Sequence, residues 1–155
     1  MRITRKKTTM KFKVTTCFIA LTLALTAGAV SVSASSERKG DLHVTKECSA
    51  HTGLAGQFCT VTASDNPAIK VGSKIFYDLP AGIPAGLLDS DIVLDAGAGN
   101  RAVGHCTLDL TTGIGLCTLS DGMGLFAGFQ ARVDVTYVGG PNWRWDGTFS
   151  VDHIK

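Results

Sequence analysis

Between Phe129 and Asp152 the chain alternates apolar and polar side chains almost without error. Phe129, Ala131, Val133, Val135 and Tyr137 fall in one phase, and Gln130, Arg132, Asp134 and Thr136 in the other. After Gly139-Gly140 the pattern resumes, with Trp143, Trp145, Gly147, Phe149 and Val151 on the apolar side and Arg144, Asp146, Thr148, Ser150 and Asp152 on the wet side. Successive side chains of a strand project to opposite faces, so two such runs joined by a glycine turn describe a β-hairpin with one buried surface. A long helical period is absent from the remainder, where glycine is frequent and turn signals recur between short apolar runs. That combination points to an antiparallel sandwich or barrel.

The amino end reads differently. Arg2, Arg5, Lys6, Lys7, Lys11 and Lys13 precede an apolar stretch from Val14 to about Val30, which leaves through Val32-Ser33-Ala34 into the polar Ser35-Ser36-Glu37. A cationic start, a greasy middle and small residues at the exit make a secretory signal peptide, with cleavage expected near Ala34. The rival reading is a retained membrane anchor, since roughly 17 residues of modest hydrophobicity approach the ~20 that span a bilayer, but the small-residue exit favours cleavage. Three segments result: a signal peptide over 1–34, a polar tail over 35–41 and a barrel domain over 42–155. The expected product is secreted, extracellular or periplasmic, with no membrane span.

The leader takes six of the fifteen basic residues and none of the thirteen acidic ones, so the product has a net charge of −4. Scattered Lys and Arg on an acidic chain provide no basic stripe, which argues against nucleic acid as a partner. Cys17 departs with the leader, leaving Cys48, Cys59, Cys106 and Cys117. An even set in an oxidising compartment implies two disulfides, with three connectivities open. A hairpin running from Asn100 to Ser120 around Thr111-Thr112-Gly113 sets Cys106 opposite Cys117, and Cys48 and Cys59 flank the turn-like Thr52–Gly56 at the same separation. The bridges expected are therefore 48–59 and 106–117, each contributing ~2 to 3 kcal/mol. A four-thiolate zinc site is disfavoured because no CxxC pair is present, and no metal is expected.

The other strands expected are Leu42–Cys48, Phe58–Ala63, Lys74–Tyr77 and Asp91–Asp95, with Pro80–Gly86 a loop lying across one mouth and Gly97-Ala98-Gly99-Asn100 a turn. With the two hairpins this makes about eight strands, enough to close a barrel around a lumen that side chains fill or that holds one small ligand.

Gly122-Met123-Gly124-Leu125-Phe126-Ala127-Gly128-Phe129 resembles the G-x-G-x-F-x-G segment of allene oxide cyclase-like and dirigent-like barrels. Val71–Tyr77, the pair Gly104-His105-Cys106-Thr107 and Gly115-Leu116-Cys117-Thr118, and the ending Trp145–Phe149 look like the secreted bacterial branch of that superfamily. The likeness covers residues 42 to 151. It implies a single antiparallel eight-stranded barrel, catalysis without metal or organic cofactor, a mostly apolar substrate held in the lumen, and a homo-oligomer, trimeric in the plant relatives. The plant cyclases place a glutamate on an early lumenal strand, and Glu47 is this chain's only glutamate on an early strand. Independently of any family, the three glycines permit positive φ at a barrel corner, where Leu125 and Phe126 are expected to plug the end.

Few polar residues invite chemistry. Glu47 and Tyr77 are the weak catalytic candidates, and Tyr137, Trp143, Trp145 and Phe149 are expected to form one aromatic, ligand-stacking cluster at an end of the last hairpin. Arg144 and Asp146 are expected to pair diagonally with Asp134 and Thr136. His43 with Glu47, and His105 with Thr107 and Asp109, read as solvated outer faces. Asp89, Asp91 and Asp95 lack the spacing of a calcium loop. The expected function is a secreted barrel that binds a small apolar ligand and isomerises or cyclises it. The alternatives are a noncatalytic carrier using the same lumen, and a disulfide-stabilised extracellular interaction protein with a packed barrel.

Overall fold

A computed structural model describes residues 38–152. Eight strands follow one another: β1 Arg38–Glu47, β2 Phe58–Ser64, β3 Lys74–Tyr77, β4 Leu87–Asp95, β5 Arg101–Asp109, β6 Ile114–Met123, β7 Phe129–Gly139 and β8 Asn142–Val151. Each pairs antiparallel with the next, and β8 returns to β1, closing the barrel in sequence order. The signal peptide over 1–34, its cleavage point and Cys17 lie outside the described residues. No helix among the described residues is long and apolar enough to cross a membrane.

The alternation explains the closure. In β7 the phase begun by Phe129 is buried through Val135, and the intervening Gln130, Arg132 and Asp134 are exposed. In β8 Trp145 is fully buried opposite Val135, and in β1 Leu42 and Val44 continue the same inner face. The interior is one cluster drawn from all eight strands, and it includes both disulfides. Cys106 faces Cys117 in the β5–β6 ladder, with Cα atoms 4.1 Å apart. Cys48 and Cys59 lie one step past the Glu47↔Thr60 pair, with Cα atoms 4.2 Å apart. Both expected bridges are present.

Several boundaries move. β1 starts at Arg38, inside the segment read as a polar tail, because Arg38 to Asp41 pair with Val151 to Thr148 of the closing strand. β4 starts at Leu87, four residues early, since Leu87 to Ser90 find partners in Asp109 to Cys106. A hydrogen-bonded partner strand thus orders segments whose composition alone looks loop-like. At the Gly122–Gly128 corner, a single turn of 3-10 helix, Gly124–Phe126, buries Phe126 against Phe129 with ring centroids 5.2 Å apart. Leu125 does not join the plug and is 56% exposed, because the one-turn helix points it outward.

One of the ladder irregularities shapes the inner face at β1. Between Thr45 and Lys46 the register slips, leaving Thr62 as an extra residue on β2, whose hydroxyl donates to the Thr45 carbonyl. A bulge bends a strand and re-aims its side chains. Here it keeps Lys46 and Val61 paired on the lumenal side.

Candidate functional site

Side chains fill most of the barrel, but one end stays hollow. A cavity of about 270 Å³ lies among the ends of β1, β3, β5 and β7, the starts of β2, β4, β6 and β8, and the 48–57 loop. Its wall is mostly Leu88, Leu108, Val135, Trp143 and the sulfurs of both disulfides. The opposite end holds Phe126, Phe129 and Phe149, and the wider concavity of about 740 Å³ there is lined by polar side chains such as Lys39, Gln130 and Arg132.

The polar content of the hollow end comes from Lys46. In β1 it shares the inward phase of Leu42 and Val44, and it is 2% exposed. Its Nζ donates to the Tyr77 hydroxyl at 2.6 Å and sits 4.3 Å from the Trp145 ring centroid. No carboxylate lines the cavity among the described residues. Removal from water therefore acts on the ammonium without a counter-charge, and burial lowers the Lys46 pKa to about 7. Burial pushes the Tyr77 phenol upward for the same reason, since its charged form is the phenolate. Around neutrality the pair is thus a neutral phenol beside an amine divided between its protonated and free-base forms.

His51 completes the group. Its ring stacks on Tyr77 with centroids 4.8 Å apart and planes 4° from parallel. Neither ring nitrogen has a hydrogen-bond partner among the described residues, although Gln57 lies close enough to favour the protonated ring. Burial dominates and lowers the His51 pKa, and the nearby Lys46 charge works in the same direction. The loop that carries His51 is held by sequence-local means. The Gln57 side-chain oxygen accepts from the Thr52 and Leu54 amides, the Gly56 amide donates to the Tyr77 carbonyl, and the Cys48–Cys59 bridge closes the base. From the other side, the Ala81 amide donates to the Gly53 carbonyl, which brings the Pro80–Gly86 loop across the mouth.

The sequence candidates are placed unequally. Tyr77 lies at the centre of the site. Glu47 does not: it occupies the outer phase of β1, where its carboxylate accepts from the Ser49 amide, one residue away from the inward Lys46. The expected four-ring cluster divides. Tyr137 and Trp143 meet at the cavity rim with centroids 5.0 Å apart, although Tyr137 is 48% exposed, and Trp145 is buried beneath the Lys46 amine without lining the cavity. Phe149 stacks on Phe129 at the far end, 5.8 Å between centroids. Equal phase along a strand guarantees a common face but not a common depth, because each residue advances the chain by ~3.3 Å.

The outer surface also departs from expectation. Asp146 is bonded to Arg144 on its own strand and to His43 Nδ1 across the β1–β8 ladder at 2.9 Å, in place of a diagonal pairing of both residues with β7. His105 bridges Asp91 through Nδ1 at 2.8 Å and Asp89 through Nε2 at 2.6 Å, which raises its pKa. Asp95 instead pairs with Arg101. No cluster of three or more metal-ligating side chains occurs among the described residues.

Lys46 was missed as a site residue. Its signal was the strand parity of Leu42, Val44, Lys46 and Cys48, which puts a lysine in line with a bridged cysteine on the inner face. No family model matches this chain, and no curated protein or solved structure does either.

Proposed function

We propose that the hollow end of the barrel is a binding site for a small, largely apolar molecule carrying one polar group. The observation that carries this reading is the cavity of about 270 Å³ whose apolar wall surrounds a buried amine–phenol pair. The volume sits just below the ~300 Å³ at which drug-sized sites begin, and a hydrocarbon-lined cavity of ~150 Å³ already accommodates benzene. The guest is therefore small, on the order of six to ten carbons. Its polar group meets Lys46, Tyr77 and His51, and its chain lies against Leu108, Val135 and Trp143.

The motif resemblance to allene oxide cyclase-like barrels supports the same use of the lumen, and with it a cofactor-independent isomerisation or cyclisation. The Lys46–Tyr77 pair, and not Glu47, is then the group that moves protons during turnover. The reading also takes the protein as exported, a location compatible with its two disulfides.

Titration of the purified protein with 1-hexanol, followed by tryptophan fluorescence and native mass spectrometry, tests binding. Saturable one-to-one binding is expected, weakened about tenfold by Trp143→Ala through lost ring contact. An unchanged spectrum and an unliganded mass at saturating alcohol would overturn the reading in favour of a packed interaction protein.

A further inference from the structure

We propose that Lys46 captures small aliphatic aldehydes in the cavity, holding them as a reversible imine on its Nζ. The inference rests on the reading of the cavity as a ligand site and narrows that ligand to a carbonyl compound. Two features of the geometry carry it. The amine is enclosed within an apolar chamber with no carboxylate in its wall, so no counter-charge pins it as an ammonium ion. A lysine desolvated in this way is an activated nucleophile, because its lone pair is available near neutral pH. A phenol 2.6 Å from Nζ stands where a proton must be carried between nitrogen and oxygen.

The chemistry balances without an outside reagent. The Nζ lone pair forms a C–N bond to the carbonyl carbon, and the carbonyl π electrons move to oxygen, which gains a proton that nitrogen gives up through the Tyr77 hydroxyl. The resulting carbinolamine loses its C–O bond; oxygen leaves as water with the second nitrogen proton, and the C=N bond forms. Aldehyde and amine become imine and water with no change of oxidation state. The apolar wall favours this product by keeping bulk water from reversing the step.

A carboxylate guest is the competing ligand for the same end of the barrel, and the wall argues against it. An anion needs a permanent positive partner, whereas burial favours the neutral form of Lys46. Among the described residues, the other titratable side chains in the cavity wall are Tyr77 from β3, Tyr137 from β7 and His51 from the 48–57 loop, and burial favours the neutral form of Tyr77 and of His51.

The test uses the full oxidised protein incubated with hexanal and sodium cyanoborohydride, which supplies the hydride that fixes an imine as a stable hexyl-lysine. Intact mass and peptide mapping then report the site. Lys46 is expected to be alkylated about tenfold faster than Lys39, Lys70 and Lys74, with a rate that saturates in hexanal and rises through about pH 7 as the amine loses its proton. Tyr77→Phe should slow labelling several-fold at saturating hexanal, where the site is already filled, a loss in the rate of the chemical step that a merely structural phenol would not produce. Alkylation distributed over the exposed lysines with Lys46 unmodified overturns the inference. If 1-hexanol still binds under those conditions, the cavity reading survives it; if neither hexanal nor hexanol binds, both fail together. A hexanoate that binds and protects Lys46, with hexanal inert, overturns the inference in favour of an anion site.

Discussion

A single lysine concentrates the tension in this molecule. Burying Lys46 takes an ammonium out of water, and its response is to titrate near neutrality, well under the ordinary lysine value of 10.5. Between those two pH values the unfolded chain holds a proton that the folded chain has released, so raising the pH disfavours unfolding. The Lys46 contribution to stability is therefore expected to climb from about pH 7 to about pH 9.5, by up to about 1.4 kcal/mol per unit, against the opposite and lower-lying contributions of His43 and His105, whose pKa values are raised, and to be offset as Tyr77, whose pKa is raised, begins to ionise in the unfolded chain. Lys46→Met, close in volume and uncharged, should remove that slope and be the more stable protein at pH 7. Urea denaturation at several pH values checks both statements; parallel pH profiles for the two proteins would contradict them. His51, whose pKa is lowered, contributes a separate rise confined below its unfolded value of 6.5, and so does not blur this window.

At the scale of elements, strand identity was legible and strand environment less so. β3 was readable end to end from Lys74 to Tyr77, and the Cys106↔Cys117 register followed from the length of the turn between β5 and β6. The starts of β1 and β4 were not legible, since Arg38–Asp41 and Leu87–Ser90 become strand only because a distant partner supplies their hydrogen bonds. The site was half legible for a related reason. Parity turns Lys46 inward, but only closure brings Tyr77 and Trp145 around its amine from β3 and β8. β8 also shows why a residue that looks like a flaw in the apolar phase is required. A Cβ on Gly147 would lie 2.0 Å from the Arg132 carbonyl oxygen and 2.7 Å from Val133 Cα on β7, both backbone atoms that cannot turn aside. Gly147→Ala is expected to cost about 2 to 4 kcal/mol or to prevent folding, measured by thermal denaturation and by yield of oxidised protein. A change within about 0.5 kcal/mol would mean that the β7–β8 approach is looser than this geometry.

Across the whole molecule the ring of strands is uneven. β1 pairs with β8 along its full length from Arg38 to Glu47, whereas the β2–β3 ladder has the pairs Phe58↔Phe76, Cys59↔Ile75 and Thr60↔Lys74, extended by bonds from the Tyr77 amide to the Gln57 carbonyl and from the Val61 amide to the Ser73 carbonyl. Local opening concentrates where few backbone hydrogen bonds hold neighbours together. Amides of Lys74–Tyr77 are thus expected to exchange with deuterium ahead of those in β7 and β8, as read by mass spectrometry; equal protection around the ring would refute this. The thin stitch lies beside Tyr77, in the wall of the hollow end, and the Cys48–Cys59 bridge is fastened next to it. On the proposed reading of the hollow end as a binding site, a guest that entered through this seam would share its first step with melting. Gentle warmth or dilute urea should accordingly hasten uptake of a guest before either begins to destroy the host, and a guest once seated should keep the seam shut.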